Sequence, residues 1–201
     1  MPDRVILKGQ VVRLEPLEPS HVDPLVRAAS EDHSTYGYTF VPATTSEMSA
    51  YVAAALEDED AGWALPFVIR LAADQRVVGS TRFLDLDYWT GQGAPSVAEI
   101  GSTWLAASAQ RTRVNTETKL LMLRHAFDDW EVARVTLKTD ARNGRSRRAI
   151  ERIGARFEGV RRAHVLATDG SIRDSAYFSI VSEEWPAVRD NLMTLLGRSH
   201  D

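Results

Sequence analysis

The sequence predicts one α+β domain, a mostly antiparallel mixed sheet flanked by helices. Three observations carry this. Seven short runs rich in β-branched and aromatic residues, several with two-residue alternation, are spread along the chain. Segments with apolar residues at three- and four-residue spacing stand between some of them, so strands and helices are interspersed. The length of 201 residues and the 44% hydrophobic content suit a single core, and no repeat, low-complexity tract or linker divides the chain.

Residues 11–17 have strand character, broken by Pro16 and Pro19 before a helix over residues 21–29. Residues 31–45, rich in Tyr, Thr and Gly without a period, read as loop. Residues 46–56 read as a helix with Ser46 as its N-cap. Two strands, 67–71 and 77–86, are joined by a turn at 72–75, and the Gly- and Pro-bearing segment 90–95 leads to a strand over 97–105. After Asn115, Leu120, Leu123, Phe127 and Trp130 recur at helical spacing and define one buried face. Within 132–139, Val135 and Leu137 face one way and Arg134, Thr136 and Lys138 the other. The helix that follows Asn143 buries Ala149, Ile150 and Ile153, and Gly154 ends it. Residues 157–166 and 176–181 form an antiparallel pair across the Asp169-Gly170 turn. The last helix follows Trp185-Pro186 and buries Val188, Leu192 and Leu195.

Composition narrows the function. No apolar run approaches the roughly 18 residues of a membrane helix, and Met1-Pro2-Asp3-Arg4 opens without an apolar secretory core. A cytoplasmic protein with no membrane partner is therefore expected. The absence of cysteine excludes disulfides, thiolate metal sites and a cysteinyl covalent intermediate, and no metal is expected. The net charge of −4 argues against a general nucleic-acid binder, but it conceals an asymmetry. Residues 142–162 hold eight arginines against Glu151 and Glu158. Such a run reads as a solvated helix face or as a site for a multiply charged phosphate ligand, with a nucleic-acid surface a remote third.

Two polar helix openings bear the chemistry. Residues 110–119, QRTRVNTETK, lie between a strand end and an amphipathic helix, and offer backbone N–H groups with Arg111 and Arg113 to an anion. About thirty residues later comes Asn143-Gly144-Arg145-Ser146, the start of the helix closed by Gly154. The order is strand, anion loop, helix, strand, Asn-led helix.

With Ala98-Glu99-Ile100-Gly101 before these openings, and Ile153-Gly154-Ala155 and Phe157-Glu158-Gly159-Val160-Arg161-Arg162 after them, the chain resembles the GNAT-superfamily N-acetyltransferases, on the RimJ/RimL-like side. The resemblance runs from Leu7 to about Leu196. It implies a GNAT-type sheet in one domain over residues 1–201, with acetyl-CoA as acyl donor. It places CoA against Gln110, Arg111, Thr112, Arg113, Val114, Asn115 and Thr116. Asn143 would contact pantetheine, and a backbone N–H around Leu105 to Ala107 would face the thioester carbonyl. A homodimer is one arrangement it leaves open.

Two positions depart from the family pattern. Arg113 and Asn115 stand where small residues usually let the backbone approach the pyrophosphate. Arg113 turned inward would close the loop to the anion; turned outward, it would add charge-assisted bonds. Many members carry a tyrosine seven residues after the asparagine, near the leaving thiol. Here that residue is Ile150, and Ser146, at the position RimL-like members use, takes its place as thiol partner.

Acetyl transfer to an amine needs a base, a donor to the carbonyl oxygen, and a proton or hydrogen bond for the thiolate. Glu99 is the first candidate base, against the plainer reading of a strand-edge carboxylate in a salt bridge. His164 and Asp174 are second candidates, and alternation turns Tyr177 away from Phe178. Ser146 and Asn143 also fit ordinary helix capping. Trp63, Trp104 and Tyr38 are expected at the acceptor, drawn from a set that includes Tyr36, Phe40, Tyr88 and Trp89. The acceptor is then a primary amine of a small molecule or a peptide N-terminus. The alternative is a GNAT-fold protein that binds acyl-CoA without catalysis.

Overall fold

The strands are β1 (Leu7–Lys8), β2 (Val12–Pro16), β3 (Leu65–Leu71), β4 (Val77–Asp87), β5 (Val97–Leu105), β6 (Arg134–Asp140), β7 (Arg156–Leu166) and β8 (Ile172–Val181), most of them runs rich in β-branched and aromatic residues. The helices are α1 (Val22–Ala29), α2 (Thr45–Asp60), α3 (Arg113–Arg124), α4 (Gly144–Arg152) and α5 (Trp185–Gly197). This computed structural model describes residues 2–91 and 93–197. Met1, Gln92 of the 90–95 segment, and residues 198–201 lie outside the described residues.

The strands make one sheet in the order β1-β2-β3-β4-β5-β6-β8-β7. Every neighbouring pair is antiparallel except β5 with β6. The expected α+β architecture with a mostly antiparallel sheet is the one observed. Two faces follow from alternation in β4. Arg82 sits over the Tyr51 ring of α2, 4.7 Å from its centroid, whereas Thr81 donates to Met122 Sδ of α3. Thus α1 and α2 cover one face, and α3 and α5 the other. No helix among the described residues is long and apolar enough to cross a membrane.

Several boundaries differ from expectation for local reasons. Helix α2 is capped by Thr44 rather than Ser46. Thr44 Oγ1 accepts the Glu47 N–H at 3.2 Å, and Glu47 Oε2 accepts the Thr44 N–H at 3.1 Å, a reciprocal box that holds the start of the helix. Helix α3 begins at Arg113 because Thr112 Oγ1 accepts the Val114 N–H at 3.2 Å. Its residues 116–123 are buried on all sides rather than along one stripe, since α5 and the β1–β2 turn pack on it as well as the sheet. Glu117 secures that turn, its carboxylate accepting the N–H groups of Gln10, Val11 and Val12 at 3.0, 2.7 and 2.7 Å. Trp130 and Leu195 are half-buried, and β8 starts at Ile172, four residues before the expected 176.

Candidate active site

Strands β5 and β6 pair through Val97 with Arg134, Ala98 with Val135 and Glu99 with Thr136, and no register pair joins them further on. Both strands continue, so the sheet opens after Glu99. A cavity of about 810 Å³ lies at this opening, lined by β5, β6, α3, α4, the 35–40 loop and the tip of the β7–β8 hairpin. A bulge shapes its β5 wall. Ser80 pairs with Trp104 and Arg82 with Gly101, so three steps along β5 oppose two along β4, and Ser102 takes up φ +47°. At the end of the strand, Ala106 N–H donates to Val78 O at 2.7 Å. Leu105 therefore forms a non-hydrogen-bonded pair with Gly79, which turns its own peptide groups away from β4, toward the opening. Its carbonyl accepts from Tyr36 Oη at 3.0 Å and from Gln110 Nε2 at 2.9 Å.

Glu99 is the last residue of β5 paired with β6 and is 3% exposed. Its Oε2 lies 2.9 Å from Lys138 Nζ. Burial pushes the carboxyl above its ordinary range, and the bond and charge of Lys138 offset this in part. Burial also opposes the charge on Lys138, but the bond and charge of Glu99, with Asp85 at 3.5 Å and Tyr177, together raise its pKa and keep it protonated. The salt bridge considered from the sequence thus exists, and it sits inside the cavity. The pair makes a buried carboxylate with a fixed cationic partner, able to take a proton from a group entering the cavity.

The residues of the expected anion loop divide. Gln110 and Asn115 line the cavity, whereas Arg111, Thr112, Arg113, Val114 and Thr116 are outside its lining, as is Ala107. Gln110 is a staple: it donates to Thr35 Oγ1 and Leu105 O, both at 2.9 Å, and accepts from Arg145 Nη2 at 3.0 Å. Arg111 has φ +61°, a turn more often made by glycine. Arg113 points outward and donates from Nη1 to Leu196 O at 3.2 Å, a cation in the last turn of α5. Its side chain leaves the mouth of the loop clear. Val114 and Thr116 are buried, and Thr116 Oγ1 accepts from Arg152 Nη2 at 3.1 Å, which ties α4 to α3.

Asn143 and Ser146 line the opposite wall. Asn143 Oδ1 accepts the Ser146 N–H at 3.0 Å, so capping occupies the asparagine carbonyl and leaves the serine hydroxyl beside the cavity. Ile150 is 8% exposed, a core residue with an edge on the same space. Much of the arginine run is engaged within the chain. Arg142 binds Asp140 and Asp169 and lies over the Tyr38 ring; Arg147 lies over Phe157; Arg156 pairs with Glu184. Arg145 lines the cavity.

On the acceptor side, Tyr38 and Trp104 line the cavity together with Tyr36, Phe40 and Tyr51. Trp63 is 67% exposed and outside its lining. His164 is hydrogen-bonded to Ser175 Oγ at 3.0 Å and Tyr177 Oη at 3.3 Å, with burial and then Arg161 lowering its pKa. Neither it nor Asp174, which accepts the Ala163 N–H at 2.8 Å, lines the cavity.

Sequence reasoning missed two groups. Lys138 was given no role, yet its side of β6, opposite Val135 and Leu137, meets Glu99. Lys119, buried in α3, projects its Nζ to Thr103 Oγ1 at 2.9 Å and lines the cavity. Its signal was the four-residue step from Asn115, which puts both side chains on one helix face. Among the described residues, no group of three or more His, Cys, Asp or Glu is arranged to hold a metal ion.

A family model described as an acetyltransferase (GNAT) domain matches residues 12–156. The structure of a GCN5-related N-acetyltransferase from Brucella melitensis is 33% identical, with TM-score 0.84, over 98% of this chain and 87% of that one. Mycobacterium smegmatis RimJ, in complex with CoA-disulfide, is 23% identical with TM-score 0.78 over 96% and 95% of the two chains, a likeness of fold. A Bacillus subtilis (strain 168) protein named "Putative ribosomal N-acetyltransferase YdaF" is 33% identical over 88 residues, 44% of this chain. That match spans 47% of the curated relative, about half its length.

Proposed function

The chain belongs to the GNAT acetyltransferase family, and from that premise we propose that it transfers an acetyl group from acetyl-CoA directly to a primary amine of a small molecule or a peptide N-terminus. The observation that carries this reading is Glu99, buried and ion-paired at the point where β5 and β6 part. An ammonium has no lone pair, so the acceptor must lose a proton before it attacks. Glu99 is the group at the opening suited to receive it, directly or through a water. The peptide group of Leu105, turned off β4, would face the thioester carbonyl and supply a hydrogen bond as negative charge develops. Ser146 would donate to the departing thiolate.

The residues present fit CoA. Asn115 in the first turn of α3 and, on the facing wall, Asn143 and Arg145 line the cavity and offer donors and positive charge to it, while Arg113 is turned away to Leu196. Acceptor binding falls to Tyr38 and Trp104. The name of the Bacillus subtilis relative supports a ribosomal-protein amine as one acceptor class. We place the reaction in the cytoplasm, and expect neither metal nor nucleic acid to take part.

The test is calorimetric titration with acetyl-CoA and CoA, followed by thiol release with small amines and N-terminal peptides. Binding with turnover of at least one amine, lost in Glu99→Gln, is the expected result. Binding without turnover of any amine would establish the non-catalytic acyl-CoA-binding reading instead, and no binding would remove both.

A further inference from the structure

Of the 24 cationic side chains only Lys8, Lys119 and Lys138 are lysines, and two of the three line the cavity. Lys8 is exposed in β1. Lys138 is held as an ammonium by Glu99, 2.9 Å away, and so has no lone pair to offer. Lys119 differs from both. It is 7% exposed, and among the described residues its Nζ has Thr103 Oγ1 as its hydrogen-bond partner and no carboxylate within ion-pairing distance. Thr103 is itself fixed, its Oγ1 2.7 Å from Thr81 Oγ1, so the amine is held by an ordered neutral group. A buried lysine without a counter-charge favours its neutral form, and burial brings this one down to about 7 against a weaker opposing pull from Glu99. A desolvated neutral amine is a nucleophile.

We propose that Lys119 is a self-acetylation site: when no acceptor amine is present, its Nζ takes the acetyl group from acetyl-CoA in the cavity, and the amide formed blocks further turnover. This rests on the acetyl-CoA reading of the cavity. The Nζ lone pair attacks the thioester carbonyl carbon, the C–N bond forms and the C–S bond breaks. The proton lost by nitrogen goes to the departing sulfur, so the products are N-acetyl-lysine and CoA thiol, with no other reactant. Lys119 suits this role because it reaches β5 from α3 at Thr103, between the Glu99 opening and Leu105. Acetylation also fixes the nitrogen in an uncharged form, the form that burial favours.

The experiment incubates the purified full-length protein with acetyl-CoA alone, maps acetylation by peptide mass spectrometry, and then assays turnover of an amine found in the panel above. The expected result is one hydroxylamine-stable acetyl group on Lys119, suppressed by excess CoA, with turnover falling at least tenfold as that site fills. An unmodified Lys119 in protein that binds acetyl-CoA and turns over an amine overturns this inference alone. So does modification confined to Lys8, Lys138 or the N-terminus, or a fully acetylated Lys119 with undiminished turnover. Failure to bind acetyl-CoA by calorimetry overturns the functional reading as well. The mapping uses the unaltered chain, so it does not depend on how Lys119→Met or Lys119→Arg folds.

Discussion

Glu99 and Gly101 share one face of β5, and the carboxylate of the first fills the space that a side chain on the second would need. A Cβ at position 101 would stand 2.8 Å from Glu99 Oε1 and 2.9 Å from Leu84 Cδ1. Since Oε2 is held by Lys138, the carboxylate is gripped on one side by charge and on the other by packing. Gly101→Ala should displace it while leaving the α3 and α4 side of the cavity intact. A displacement of order 1 Å at a reacting group costs about 100-fold in rate. The expected outcome is therefore a kcat lower by about that factor, with acetyl-CoA affinity from calorimetry unchanged. An unaltered kcat would remove Glu99 from the mechanism.

The pH profile follows from the same pair. A base must be deprotonated to act, and burial raises Glu99, so kcat should climb with pH along a limb displaced above the ordinary carboxylate value of 4.5. Lys138 and Arg173 hold that limb down, and Asp85 pushes it up. Removing the cation in Lys138→Met should shift the limb to higher pH. Glu99→Gln should abolish it and lower kcat by about 100- to 10,000-fold. Steady-state rates across pH for the three proteins test both signs. A limb that stays in place in Lys138→Met would show that another group titrates.

What could be read in advance depended on whether side chains act along one element or between elements. Glu99 as a candidate on its strand, and Ser146 three residues after Asn143 where the family resemblance put it, could be named because each relation lies within a single element, and all three line the cavity. The mostly antiparallel sheet was legible for the same reason, from local runs of β-branched and aromatic residues, only some of which alternate. Lys119 was not, since Leu120 and Leu123 suggested an apolar stripe with a polar back, whereas α5 and the β1–β2 turn bury that back as well. The direction of Arg113 was left open by the sequence, because its partner is the Leu196 carbonyl, 83 residues away. Trp63 shows the converse: a large aromatic with no local pattern, left outside the cavity at 67% exposure.

Glu117, two residues from Lys119, carries a structural burden in the same helix. It is 6% exposed and accepts three backbone N–H groups of the β1–β2 turn. Hydrogen bonds to a charged group contribute roughly 1.5–3 kcal/mol each, and part of the turn can rehydrate when they are lost. Glu117→Ala should therefore destabilise the fold by about 3 kcal/mol, or about 10 °C in Tm for a chain of this size. Below that transition acetyl-CoA affinity should change less than about threefold, a ratio worth under 1 kcal/mol. Scanning calorimetry and titration separate the two. A large loss of affinity in folded protein would mean that Glu117 positions the α3 N-terminus rather than only the turn.

Lys119 makes a prediction that needs no knowledge of the acceptor. Its pKa is about 7 in the folded protein and 10.5 at its ordinary value. Between those values the unfolded chain binds a proton that the folded chain does not, so unfolding becomes harder as pH rises. The stability is fully present above the ordinary value and is lost as pH falls through about 7. The slope is at most about 1.4 kcal/mol per pH unit for one group. Urea midpoints measured from about pH 7 to pH 9 should therefore rise more steeply for the native protein than for Lys119→Met, with the variant the more stable near the lower end. Protein acetylated at Lys119 should follow the flatter curve of the variant. Parallel curves for native and Lys119→Met protein would mean that Lys119 keeps its proton across this range, and the neutral amine required for its attack on a thioester would then be absent.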